Sequence, residues 1–281
     1  MATLSPELEA LRFERLVADL EVDDARRVRR MAKTYAARRC YIILFSARSG
    51  SSWLGSLLTA TELLGKPREY LNPEMVVKTA KQLDARTAED ALQMLLRIKQ
   101  SPNGVFGMKV RAIDIELFGE SLFIDTLGAR AVFFHLWREN LVAQGISLYR
   151  AVASRRFHSN SVSQVREPPA YDGAEILHWI RHVAASENDN VRLLRRHDIA
   201  ARPLIYEQIT HDRVGVIRLF AQAMAVPYAP GDFMEAGSDE LAKVGDDWND
   251  EVEARFRGDY ADALTVIEAD RLTPARAGEG R

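Results

Sequence analysis

Apolar residues concentrate in four strand-length runs: Tyr41–Phe45, Val105–Val110, Ala131–Leu136 and Arg202–Tyr206. Segments of helical period or turn composition separate them. Residues 6 to about 38 read as one or two helices, with Leu8, Leu11, Leu16, Val17 and Leu20 near helical spacing. Residues 74–100 are mostly helical. A helix follows Asn140 and runs through Arg155, a long one covers 173–196, an amphipathic one 211–225, and another 250–270. Gly65–Pro73 is a proline-bounded loop, Pro102-Asn103-Gly104 a turn signal, and 229–250 a loop. Strands alternating with helices predict a three-layer α/β domain around a central, mostly parallel sheet. The expected organisation is an N-terminal helical extension (1–39), the α/β domain (40–272) and a flexible tail (273–281).

At 281 residues, 47% of them apolar, the chain is long enough to bury a sizeable core. A formal net charge of −2 offers no global basic field for nucleic acid, although Arg26 to Arg39 is locally basic. Cys40 is the only cysteine, so no intrachain disulfide can form; it abuts the first strand and reads as a small core residue. No apolar run approaches the ~20 residues of a membrane span, and the first residues lack the pattern of a secretory signal. The expectation is a soluble, cytoplasmic protein.

The first strand breaks into Ser46-Ala47-Arg48-Ser49-Gly50-Ser51-Ser52-Trp53 and restarts as a helix. A glycine-containing turn at a helix N-terminus aims free backbone N–H groups at one point, and the helix dipole adds positive potential. Arg48 contributes a guanidinium, and Ser49, Ser51 and Ser52 contribute hydroxyls, so the turn suits phosphate or sulfate. A plain Ser- and Gly-rich βα turn is the alternative. The nucleotide-triphosphate loop requires Gly-Lys before its Ser or Thr; here Ser51 follows Gly50 and the cation precedes it. In parallel sheets ligands bind at the carboxyl ends of strands. Arg138 ends the run 131–136 and Ser147 lies on the next helix, where an arginine and a hydroxyl can grip a second phosphate from two sides. Two anion sites at neighbouring strand ends suggest a nucleotide with phosphates at both ends. His135 reads as a core or subunit-contact histidine, and no clustered His/Cys spacing suggests a metal.

Ser46–Trp53 resembles the 5′-phosphosulfate loop of sulfotransferases dependent on 3′-phosphoadenosine-5′-phosphosulfate (PAPS). Arg138 with Ser147 resembles their 3′-phosphate site, and Leu204–Ile209 the Tyr-Glu strand end found in many of them. More closely, Ser46–Ser52, Gly65–Tyr70, Pro102–Lys109 and Ile146–Val152 occur in the order of the Stf0 family of bacterial carbohydrate sulfotransferases. The resemblance covers roughly residues 40–260.

It implies a P-loop-like α/β fold, PAPS as co-substrate, no metal, a sugar or glycolipid acceptor, no nucleic acid, and a homodimer by analogy. Arg48 and the Gly50–Ser52 amides and hydroxyls would stabilise charge on the leaving phosphate. Glu69 maps to the general base, with Arg68 beside it as a partner that would lower its pKa. Trp53 stacking on adenine with Tyr206 near it is one reading; core packing is the other. Lys109 faces the sulfonate or the acceptor, or is a solvated strand end. Lys243 falls in the late loop that closes over the 3′-phosphate, and Arg155–His158 matches an acceptor-side segment or is a helix end. The competing functions are a nucleotide-dependent kinase and a non-catalytic PAPS- or PAP-binding interaction protein.

Overall fold

The computed structural model describes residues 4–154, 168–228 and 247–272. Four parallel strands, β1 (Arg39–Phe45), β2 (Val105–Val110), β3 (Ala131–Trp137) and β4 (Ala201–Ile205), lie in the order β2-β1-β3-β4. The chain leaves β1 toward β2 on one side and returns to β3 on the other. The loops after β1 and β3 therefore part at a topological switch point, the place where open parallel sheets form a crevice.

The helices are α1 (Pro6–Ala10), α2 (Phe13–Leu16), α3 (Asp24–Lys33), α4 (Ser51–Ala60), α5 (Pro73–Leu83), α6 (Ala88–Ile98), α7 (Ala112–Leu127), α8 (Leu141–Ala153), α9 (Gly173–Arg196), α10 (Tyr206–Ile209), α11 (Arg213–Ala223), α12 (Asp247–Asp259) and α13 (Ala261–Asp270). Successive strand side chains point to opposite faces, so β1 feeds two cores. Cys40, Ile42 and Leu44 meet Met108, Phe133 and residues of α5–α7 on one face. Tyr41, Ile43 and Phe45 meet Leu54, Leu57 and Leu58 of α4 and Val216, Ile217 and Phe220 of α11 on the other. Each such side chain contributes about 1.5–3 kcal/mol over exposure. This is the three-layer α/β fold that the sequence pattern predicts.

A third cluster joins α8, α9, α12 and α13 through Ile146, Ile180, Val183, Phe256 and Leu264. Gly145 is required there: a Cβ would lie 2.3 Å from Cγ1 of Ile180. This packing fixes α9 across the carboxyl end of the sheet.

Several boundaries differ from the sequence reading. The first segment forms three short helices, and Phe13 and Val17 are buried in the same core as Phe118, whose ring meets that of Phe13 edge-on at 5.1 Å. Several arginines of its basic stretch pair with carboxylates and carbonyls of the chain itself. Arg26 and Arg30 pair with buried Asp84, Arg27 with Asp90 at 3.0 Å, and Arg39 donates to the carbonyls of Met224 and Asn103. The stretch 74–100 splits at Asp84, whose φ of 55° ends α5. Residues 250–270 divide at Tyr260. Helix α7 has no counterpart in the sequence reading. Gly119 within it has φ 128° and interrupts the helical path, so its two halves do not share one apolar stripe. Among the described residues no helix is long and apolar enough to cross a membrane.

Candidate functional site

The loop after β1 is built by two backbone residues in the left-handed region. Arg48 has φ 61° and Gly50 φ 87°. Gly50 is the N-cap of α4 and supplies no capping side chain, which leaves the first amides of the helix for a ligand. Gly50 is also a close approach: a Cβ would sit 2.3 Å from Cδ2 of Tyr206. Tyr206 starts α10 directly after β4, so the loop after β1 leans on the end of β4.

Buried polar groups hold this loop from below. Gln144 of α8 donates to Ser46 Oγ at 2.8 Å and to the Ala47 carbonyl at 2.7 Å. Asn190 of α9 donates to the Phe45 carbonyl at 3.0 Å and accepts from the Ala112 amide at 2.8 Å. Ser49 is buried and its hydroxyl has no hydrogen-bond partner among the described residues, whereas Ser52 is exposed at the helix start.

Arg48 and Arg138 converge from β1 and β3. Burial, then the nearby Arg138 charge, lowers the pKa of the Arg48 guanidinium, with Tyr206 opposing. The pairing differs from the sequence expectation in one respect. Arg48 Nε donates to Ser147 Oγ at 3.0 Å, so Ser147 orients Arg48 directly. Arg138 instead lies 4.4 Å over the Tyr206 ring, with its Nε 3.5 Å from Glu207 Oε1. Glu207 in turn accepts from the amides of Glu139 and Asn140 at 3.0 and 3.3 Å, closing the loop after β3 onto the end of β4. The residues of the two expected anion sites are thus linked, through Arg48 to Ser147, Arg138 to Tyr206 and the close approach of Gly50 to Tyr206.

Lys109 lies near the carboxyl end of β2 and is buried. Its Nζ is 2.9 Å from Glu69 Oε1 and donates to Ser51 Oγ at 3.5 Å, above the Phe45 ring at 5.4 Å. It is therefore a paired lysine facing the α4 N-terminus, not a solvated strand end. Glu69 also accepts from Asn72 Nδ2 at 3.3 Å. Burial acts to raise the Glu69 pKa, but Lys109, Asn72 and Arg111 together outweigh it and hold the carboxyl below its ordinary value. Arg68, the partner anticipated from sequence, is exposed. Its backbone adds a short parallel bridge to β2, and its carbonyl accepts from the Lys109 amide at 3.2 Å. That bridge is what sets Glu69 beside Lys109.

Trp53 is partly buried and packs with the α4/α11 core. His135 is buried in β3, and burial, followed by the Arg271 charge, lowers its pKa to about 4, so it is a neutral core residue at pH 7. Lys243 and Arg155–His158 lie outside the described residues. Sequence reasoning missed Gln144, Asn190, Asn72 and Arg111; a glutamine embedded in the otherwise apolar helix α8 was the available signal for the first, while Asn190 sits in a polar run of α9 that gives none.

A parallel sheet whose switch point carries the α4 helix start, two arginines and a lysine–carboxylate pair fits a P-loop-like α/β fold. The Stf0 sulphotransferase family model matches residues 40–259, and the chain belongs to that family. It is similar to the trehalose 2-sulfotransferase of Mycobacterium tuberculosis (strain ATCC 35801 / TMC 107 / Erdman), with 24% identity over 260 residues covering 78% of this chain and 96% of that protein. It is also similar to the trehalose 2-sulfotransferase of Mycolicibacterium smegmatis (strain ATCC 700084 / mc(2)155), with 27% identity over 186 residues covering 52% of this chain and 69% of that protein.

Proposed function

We propose that this sulfotransferase takes its sulfuryl group from PAPS and delivers it to a hydroxyl of a carbohydrate, with Glu69 as general base. The observation that carries the reading is the position of Lys109, 2.9 Å from Glu69 and 3.5 Å from Ser51. One cation spans the carboxylate suited to accept a proton and the helix start suited to hold an anion.

The donor supplies an activated sulfuryl group; the chain supplies positioning and charge. Arg48, the first α4 amides and the hydroxyls of Ser49, Ser51 and Ser52 form the cradle for its phosphosulfate end. Arg138, Ser147 and Tyr206 would take the 3′-phosphate end, and Lys243 is assigned to the same end. The hydroxyl of the acceptor donates its proton to Glu69, which is kept ionised by Lys109 and Asn72. Lys109 can then neutralise charge on the transferring or leaving oxygens. The names of the two mycobacterial relatives make trehalose the first acceptor to try.

The test has two arms. Calorimetric titration with PAP and with ATP separates the donor classes, and sulfate transfer from radiolabelled PAPS to trehalose and a panel of sugars identifies the acceptor. Tight PAP binding with transfer supports the proposal. Preferred ATP binding overturns it in favour of a kinase, and PAP binding without transfer to any sugar favours a non-catalytic binder.

A further inference from the structure

Behind the loop after β1 lies a buried carboxylate. Glu187 of α9 is 2% exposed, and its Oε1 accepts from Ser46 Oγ at 3.1 Å. A negative charge in that place opposes an anion in front of the loop. Its counter-charge arrives from the far end of the described chain. Arg271, just past α13, donates through Nε to Glu187 Oε2 at 2.8 Å. The same guanidinium donates to the carbonyl of Arg138 and, at 3.2 Å, to that of Glu139, and it lies 4.7 Å over the Trp137 ring. Asn188 fixes the backbone on either side of it. Its Nδ2 donates to the Asp270 carbonyl at 3.0 Å and its Oδ1 accepts from the Leu272 amide at 2.7 Å. One side chain is therefore bonded both to the support of Ser46 and to the backbone of Arg138.

We infer that Asp270–Leu272 is a latch and Arg271 a positioning residue, which holds the loops after β1 and β3 in register and cancels the Glu187 charge beneath the donor site. The inference rests on the donor reading proposed above. The planar guanidinium suits the task because it reaches a carboxylate and two carbonyls at once, which an ammonium cannot do with the same geometry. Glu187 in turn gives Arg271 a reason to be buried; neither charge is tolerable there alone.

The experiment is calorimetric titration of the full chain with PAP, for wild type, Arg271→Ala, Arg271→Lys and the double variant Arg271→Ala/Glu187→Gln, each with a thermal melt. Arg271→Ala is expected to weaken PAP binding by about tenfold or more, because it leaves an uncompensated carboxylate behind the loop. The double variant removes that carboxylate and recovers part of the lost affinity, and the melts show whether this recovery exceeds what regained stability alone would give. Arg271→Lys, which keeps the charge, is expected to fall between Arg271→Ala and wild type. Wild-type affinity in Arg271→Ala overturns the inference, as does a loss that Glu187→Gln fails to relieve. If Arg271→Ala does not fold, Arg271→Lys carries the test, and wild-type affinity there overturns the positioning role. Absence of PAP binding by the wild type itself sinks the donor reading and the latch together.

Discussion

Lys109 and Glu69 form an ion pair of 2.9 Å at the carboxyl end of the sheet, with the lysine almost wholly shielded and the glutamate partly open. The asymmetry has a chemical sense. A buried ammonium must keep a partner, whereas a partly open carboxylate retains an oxygen for an incoming group. The local chain explains the pairing: Gly65, at φ 74°, turns the loop after α4 so closely against β2 that a Cβ would meet the Gly107 amide nitrogen at 3.0 Å. The loop then runs beside Met108 and Lys109.

Glu69→Gln keeps the shape and the Asn72 side of the site but cannot accept a proton. Sulfate transfer is expected to fall by about 10²–10⁴-fold, with PAP affinity close to wild type because the donor cradle is untouched. Steady-state transfer rates and PAP calorimetry on the same preparation read the two quantities separately. A variant that transfers at the wild-type rate removes Glu69 from the chemistry.

Arg48→Ala and Arg138→Ala each remove one charged donor from the site. Each is expected to weaken PAP by about 10- to 100-fold, the range for hydrogen bonds to charged groups. The losses should not add, since the two guanidinia influence each other directly. Titration of the single and double variants checks both statements; unchanged affinity in Arg138→Ala would remove Arg138 from the donor site.

Much of this architecture was legible because it follows from local rules. The four apolar runs became the four strands, and Ser46–Trp53 became a strand end, a left-handed turn and a helix start, since Gly50 admits the φ of 87° that the turn needs. Arg48, Arg138, Tyr206 and Lys109 fell at or near carboxyl ends of strands for the same topological reason, while Ser147 lies on α8 and Glu69 in the loop after α4. What was not legible depends on long-range packing. Nothing near Arg68 in sequence reveals that its backbone bridges to Met108 while its side chain turns outward. Nothing near Arg271 points to Glu187, and Gly119 hides the period of α7.

Phe13 lies outside the segment matched by the family model, yet it is 2% exposed and edge-on to Phe118 of α7. Phe13→Ala is expected to destabilise the protein by about 3–5 kcal/mol, as for other buried aromatic truncations, while leaving PAP affinity unchanged. Urea unfolding supplies the first number and calorimetry the second. A destabilisation below about 1 kcal/mol would mean that the N-terminal helices are not part of the cooperative core.

Gly50→Ala meets two obstacles at once: its φ of 87°, and a Cβ 2.3 Å from Tyr206 Cδ2. The first costs about 1–2 kcal/mol, and the second forces Tyr206 or the loop aside. PAP binding should be largely lost. Tyr206→Ala in the Gly50→Ala background relieves the clash but not the backbone strain, so thermal stability is expected to recover only in part. Full recovery would show that the left-handed backbone is not what demands glycine.

The pH response distinguishes Lys109 as the group that keeps Glu69 ionised. Burial raises the Glu69 pKa, while Lys109, Asn72 and Arg111 lower it further than burial raises it, so the net position is below the ordinary carboxylate value. A base is active when deprotonated, so the transfer rate should hold from neutral pH down through the ordinary carboxylate range and fall only beneath it. The stability that this pairing contributes has the same sign: it is present above the unfolded-state pKa and is lost as pH falls through the lower folded value. Lys109→Met removes the principal counter-charge and leaves burial opposed only by Asn72 and Arg111. The acid limb of kcat/KM is then expected to move to higher pH, accompanied by a lower plateau because the cation near Ser51 is gone. A limb that stays in place, whatever the plateau does, would assign the ionisation of Glu69 to Asn72 and Arg111 and leave Lys109 with the anion alone.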